Sequence, residues 1–122
     1  MDESIFKKMY LKEGMELCVI QPYEEFKLFL DHQKEYRLVE GNADFVLVFV
    51  RKRSELSELI ALAKLARKPG GKLWLAYPKA TRSIKPDINR DSLFELTQSY
   101  GLVINGNFAL DENWSLLRTK DI

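Results

Sequence analysis

An uninterrupted apolar run, Phe45-Val46-Leu47-Val48-Phe49-Val50, constrains the fold of this chain more than any other stretch. A strand with one face in water alternates apolar and polar residues. A strand apolar throughout is covered on both faces, as in a parallel sheet between helical layers. The following residues fit that reading. Ser54 stands where a helix cap is needed. Leu56, Leu59, Ile60, Ala63 and Ala66 or Arg67 then recur at helical spacing. Pro69-Gly70-Gly71 stops the helix, and Leu73 to Tyr77 supplies a second buried strand. Residues 44–78 therefore predict a strand–helix–strand unit with a right-handed crossover, its two strands adjacent in one sheet.

The flanking segments extend this unit. Residues 3–9 spell one or two helical turns with Ile5, Phe6 and Met9 on the apolar side. Met15 to Ile20 reads as a first strand. Pro22 suits the first turn of a helix over 22–32, which buries Tyr23, Phe26 and Phe29 or Leu30. Tyr36 to Val39 is extended. A parallel crossover usually needs a dozen residues, and far fewer separate this piece from Asp44, so it reads as a minor edge element. A helix is expected over 90–99 with Leu93, Phe94, Leu96 and Thr97 inward, capped by Asn89 or by a Ser92–Glu95 box. Gly101 suits a left-handed C-terminal cap. A strand over 102–110, with Gly106 marking a bulge, turns at Asp111-Glu112-Asn113 into an antiparallel strand over 114–119. The order is that of a three-layer α/β sandwich, a single domain over 1–122 with a mainly parallel sheet and a C-terminal antiparallel hairpin strand.

The totals exclude several classes. Nineteen basic residues against eighteen acidic leave no net field, which argues against general nucleic-acid binding. The single cysteine, Cys18, forms no internal disulfide and fits a reducing compartment. No apolar run approaches the roughly 20 residues of a membrane span, and Met1-Asp2-Glu3 opens acidic rather than as a signal peptide. A cytoplasmic protein is expected. One histidine, His32, without a Cys or acid cluster gives no expectation of a metal.

From Asp44 onward the chain resembles the second half of a class I S-adenosylmethionine-dependent methyltransferase. The likeness rests on D-F-V-L-V-F-V, the long helix, K-P-G-G-K-L-W-L, and the later helix, Gly101 and closing hairpin. It is also similar to a family of small bacterial proteins of shortened layout and no assigned activity. Tyr77-Pro78-Lys79, Asn89-Arg90-Asp91-Ser92 and Asp111-Glu112-Asn113-Trp114-Ser115 carry that resemblance. Both imply a Rossmann-like, methyltransferase-like sheet. The departures are specific. The glycine-rich turn expected after the first strand is Ile20-Gln21-Pro22-Tyr23, without glycine and with one N–H donor removed by Pro22. Glu40 is the one candidate for the acid that would hold the cofactor ribose. Arg51-Lys52-Arg53 stand where amino-methylating enzymes carry Asn/Asp-Pro-Pro-Tyr.

In open α/β sheets ligands bind beyond the carboxyl ends of the parallel strands. That rim gathers Gln21 with Tyr23, Arg51 to Arg53, the segment from Lys79 to Arg90 and the hairpin turn Asp111 to Trp114. The residues expected to hold a small anion are Gln21, Lys79, Thr81, Arg82, Lys85, Asn89, Arg90, Asp91 and Trp114. Guanidinium groups and hydroxyls beside a helix start can take a phosphate or carboxylate. The bland alternative is a solvated loop whose Asn89 and Asp91 cap a helix. The expected function is a non-catalytic binding or interaction module on a degenerate methyltransferase-like scaffold, with no cofactor, meeting a small anion or a protein partner at the rim. The alternative is a stripped-down enzyme, a methyltransferase or one acting on a phosphorylated substrate. The uncovered edge near Tyr36–Val39 invites pairing in a homodimer.

Overall fold

The computed structural model describes residues 4–81 and 85–122. Its elements are α1 (Ser4–Lys8), β1 (Glu16–Ile20), α2 (Glu24–His32), β2 (Arg37–Leu38), β3 (Ala43–Phe49), α3 (Leu56–Ala66), β4 (Arg67–Pro78), α4 (Arg90–Gln98), β5 (Leu102–Ala109) and β6 (Trp114–Asp121). One six-stranded sheet has the order β2-β1-β3-β4-β6-β5. β2, β1, β3 and β4 pair in parallel, with Phe45 beside Lys72 and Val48 beside Leu75. β6 runs antiparallel between β4 and β5. The central pair is thus the one expected from the apolar run.

The period of two along β3 divides the core. Phe45, Leu47 and Phe49 join Phe6, Phe26, Leu30 and Trp74 under α1 and α2. Val46, Val48 and Val50 join Leu56, Ile60, Ala63, Leu75 and Leu93 under α3 and α4. Every residue from Phe45 to Val50 is essentially inaccessible, which explains why no polar residue interrupts the run.

β2 is a minor edge element, as its spacing implied. It lies level with Glu16 and Leu17, at the base of β1. The chain never climbs the sheet there, so residues 39–42 can step past β1 and enter β3 without a helical crossover. Asn42, at φ 52, makes the turn in the left-handed conformation that Asn tolerates.

Four details differ from the sequence reading. Ser54 is not the cap of the third helix: residues 53–55 form a 3-10 turn, and the Glu55 carboxylate accepts from the N–H groups of Arg51 (3.2 Å) and Lys52 (2.9 Å). The helical turn begins two residues earlier than Ser54, with Lys52 as its cap, and the Glu55 side chain reaches back to that residue's N–H. Pro69-Gly70-Gly71 does not stop the helix. The chain is already extended at Arg67, and the three residues lie in a bulge of β4 between the rungs Ala43–Arg67 and Phe45–Lys72. Phe94 is 42% exposed, while Leu93 and Thr97 take the inward stripe of α4. β6 continues to Asp121, two residues past the expected end. Asn89 is the cap of α4, exchanging bonds of 2.9 Å with Ser92. Gly101 takes φ +80 at the helix end as expected. The β5 bulge sets Ile104 and Gly106 against consecutive β6 residues, leaving Asn105 extra. A Cβ on Gly106 would meet the Phe108 ring at 2.9 Å.

At the base of the sheet, Lys68 bridges Glu16 at 2.7 Å and Asp44 at 3.3 Å. The Glu16 N–H donates to Asp44 at 2.8 Å. That bond, then Lys68, holds the Asp44 carboxyl below its ordinary value of 3.8, and Glu16 and then Asp44 raise Lys68 above 10.5.

Candidate functional site

The rim is built where β1, β3 and β4 end. Gln21 follows β1 at φ 59, a left-handed conformation that favours glycine. Its amide nitrogen donates to the Phe49 carbonyl at 3.1 Å and to Glu55 Oε2 at 2.8 Å. Its own carbonyl accepts from Arg51 Nη1 at 2.9 Å. Glu55 in turn receives the backbone N–H groups of Arg51 and Lys52. Gln21, Arg51 and Glu55 thus form a closed hydrogen-bonded plug across the ends of β1 and β3.

Beside the plug stands an aromatic cluster. The Tyr23 ring stacks on Trp114 at 5.2 Å, and Phe49 meets Trp114 edge-on at 5.3 Å. The Arg51 guanidinium lies over Trp114, 5.5 Å from the ring centre, a cation–π contact. The Tyr23 hydroxyl donates to Asp111. Asp111 also accepts from the N–H groups of Asn113 (2.7 Å) and Trp114 (2.8 Å), which closes the hairpin turn. Lys79 ties that turn to the end of β4, its N–H donating to the Asn113 carbonyl and its ammonium to the Asp111 carbonyl at 2.9 Å.

Burial, then the Asp111 hydrogen bond, push the Tyr23 hydroxyl well above its ordinary value of 10.0. The signs give a pH prediction. Above 10.0 the unfolded tyrosine loses a proton that the folded one keeps, so its stabilisation fades as pH rises. Lys68, also raised, loses its contribution above 10.5. Asp44, lowered, contributes above 3.8 and loses it as pH falls through its folded value. Urea unfolding across pH is expected to show declines at both ends, and Tyr23→Phe to flatten the alkaline decline. An unchanged alkaline decline in that variant would refute the assignment to Tyr23.

The residues expected at the site divide. Lys85 and Trp114 line an open groove of about 490 Å³ together with Arg51, Lys52, Pro78, Pro86 and Asp87. Lys79, Asn89, Arg90 and Asp91 border a second, shallower depression of about 480 Å³. Asn89 is engaged in its cap and the Lys79 ammonium in the hairpin turn. Gln21 stands on the rim with its amide turned into the plug. Thr81 is exposed, and Arg82 lies outside the described residues. Arg51, expected on the rim because it directly follows the apolar strand, organises it together with Glu55, which the sequence did not single out. Asp87, an acid expected to fix the loop, accepts from the Arg53 N–H at 2.9 Å.

Cys18 is buried in the sheet, and burial, with Glu40 second, raises its thiol above the ordinary 9.0. A thiol held protonated is a poor nucleophile. Among the described residues no group of three His, Cys, Asp or Glu side chains is placed to hold a metal, and no helix is long and apolar enough to cross a membrane.

This arrangement of sheet, helices and rim is the class I S-adenosylmethionine-dependent methyltransferase fold. A methyltransferase of that kind from Aquifex aeolicus superposes with a TM-score of 0.58 at 14% identity, covering 99% of this chain and 94% of its own. The Burkholderia thailandensis 1,6-didemethyltoxoflavin-N1-methyltransferase, solved with S-adenosylhomocysteine, gives 0.61 at 8% identity, covering 96% and 74%. The DhpI–S-adenosylhomocysteine complex gives 0.62 at 8% identity, covering 97% and 82%. At such identities the likeness concerns the fold. No family model and no curated relative matches the sequence.

Proposed function

We infer that this chain is a non-catalytic binding module on a methyltransferase-like scaffold, and that its ligand is a small anion held in the groove beside Trp114. The observation that carries the reading is the Gln21–Arg51–Glu55 plug. The methyl donor of this fold needs open backbone donors after β1. Here Pro22 has no N–H, and side chains of the chain itself close the space between β1 and β3. The first turn of α2 carries Glu24 and Glu25, which repel a ligand carboxylate at that helix start. β2 ends level with the base of β1, and Glu40, two residues beyond it, lines a recess with Val19, Pro22 and Glu24. These residues do not fit the methyl donor.

The groove offers different chemistry. Arg51, Lys52 and Lys85 meet there over an apolar wall of Trp114, Pro78 and Pro86. Among the described residues Asp87 is the one carboxylate lining it, and its Oδ1 is engaged by the Arg53 N–H. A compact anion gains charge-assisted hydrogen bonds from such a cluster. A stripped-down methyltransferase is the second reading, favoured by superpositions that span nearly the whole chain. Thermal shift and calorimetry separate the two. Pyrophosphate is expected to raise the melting temperature, and a Lys52→Ala, Lys85→Ala double variant to lose that response. S-adenosylmethionine is expected to change nothing. Micromolar binding of S-adenosylmethionine would overturn the reading in favour of the enzyme.

A further inference from the structure

A second recess of about 520 Å³ opens on the α1 side of the sheet, away from the rim. Its walls include Met9, Tyr10, Met15 and Trp74, and its margin carries Lys12, Lys72, Arg118 and Lys120. Among the described residues no carboxylate lines it. Its size is that of small-molecule pockets.

Two local rules are broken there. The first concerns charge. Trp74 stands opposite Arg118 across β4 and β6. Lys72 and Lys120, each two residues along its strand from that pair, also line the recess. Like charges gathered without a counter-ion repel one another. Among the described residues, none of Lys12, Lys72, Arg118 and Lys120 has a carboxylate partner, although the same end of the sheet supplies acids to Lys68 and Arg67.

The second concerns Tyr10. The Leu11 N–H donates to the Phe6 carbonyl at 3.0 Å and the Tyr10 N–H to the Lys7 carbonyl at 3.1 Å. That is the helix-ending pattern whose left-handed position glycine usually fills. Tyr10 fills it at φ 57 and leaves its side chain 62% exposed. A non-glycine residue in this conformation carries backbone strain. The strain places the ring at the recess, edge-on to Trp74 at 6.3 Å, with the Arg118 guanidinium 5.7 Å from its centre. Arg118 is held in turn by Asn105, through Nε at 3.0 Å and Nη2 at 2.8 Å. The guanidinium has five N–H groups, so donors remain for a ligand.

We propose that this recess binds a small planar anion, an aromatic ring bearing a phosphate, with Tyr10 against the ring and Lys72, Arg118 and Lys120 around the phosphate. A mononucleotide has this chemistry in full. A flat ring matches the Tyr10 face and the thioethers of Met9 and Met15, and the phosphate neutralises the unpaired cations. The proposal is independent of the rim reading, because it uses none of the same residues.

Adenosine monophosphate and phenyl phosphate are the probes, followed through the two tryptophan indole N–H signals in nuclear magnetic resonance. Trp74 lies in the recess and Trp114 on the rim. Both probes are expected to move the Trp74 signal and leave that of Trp114 in place. Adenosine or inorganic phosphate alone is expected to bind at least tenfold more weakly. A Lys72→Glu, Lys120→Glu double variant and Tyr10→Gly are each expected to lose at least tenfold in affinity. Tyr10→Gly relieves its own backbone strain, so it is expected to stay folded with a urea midpoint close to the parent's. Binding that survives the double charge reversal, movement of Trp114 instead of Trp74, or no response to either probe would each overturn the proposal. If Tyr10→Gly keeps full affinity but loses stability, the ring is a cover for Trp74, and its role in binding is refuted.

Discussion

Phe49→Ala is expected to lower the unfolding free energy by about 3–5 kcal/mol, read as a fall in the urea midpoint with an unchanged slope. Phe49 is fully buried at the end of β3. Its ring meets Phe26 at 5.0 Å, Trp114 at 5.3 Å and Tyr23 at 5.6 Å. Three elements converge on it, so the cavity left behind cannot collapse without moving α2 or the hairpin. A domain is stable by about 5–15 kcal/mol in total, so the loss is a large share of the whole. The same change frees Trp114 and Tyr23 from beneath, so groove binding is expected to weaken even in the molecules that remain folded. A loss under about 1 kcal/mol would mean that the aromatic cluster is not packed as described.

Asp111→Ala is the second large effect. The carboxylate accepts three hydrogen bonds, from Tyr23, Asn113 and Trp114. Its removal strands a half-buried tyrosine hydroxyl and opens the turn that sets Trp114. An unmade buried bond costs about 1–3 kcal/mol, and the turn N–H groups recover part of theirs from water. A loss of about 2–3 kcal/mol is expected. Asp111→Asn keeps one carboxamide oxygen and is expected to lose roughly half as much. Because Tyr23 is no longer held protonated by Asp111, the alkaline decline is expected to soften in Asp111→Ala as well. Equal stability of Asp111→Ala and the parent would show that the short contact is incidental.

The legible parts of the fold are those decided by neighbouring residues. Phe45 to Val50 announces a doubly covered strand because burial on both faces leaves no place for a polar side chain. Gly101 announces a left-handed cap because few other residues adopt that backbone cheaply. The brevity of the link before Asp44 announces a stunted β2 because chain length is a geometric limit. Where a distant group competes, the local signal fails. Ser54 is a good cap by type, yet the helical turn starts at Lys52, whose N–H the Glu55 side chain takes, so Ser54 lies inside it. Pro69-Gly70 is a good helix stop, yet Lys68 is drawn to Glu16 and Asp44, and the chain leaves α3 before the proline is reached.

The rim is legible as a place more than as a chemistry. Topology puts Gln21, Lys85 and Trp114 on one side of the sheet, and the sequence order suffices for that. That Gln21 points inward depends on the Phe49 carbonyl and Glu55, which lie 28 and 34 residues away in sequence. No spacing rule encodes such contacts. The recess at Tyr10 was equally hidden. Lys72, Arg118 and Lys120 are unremarkable in the linear chain, and they become neighbours only when β6 docks beside β4.

That docking order has a consequence for assembly. β6 follows β5 in the chain but lies inside it, against β4. β5 therefore has no partner strand until the hairpin folds back, and β4 presents a bare apolar flank until then. Closure of the half-formed sheet waits on the emergence of β6, so chaperone engagement during synthesis should centre on the interval between the emergence of β4 and that of β6.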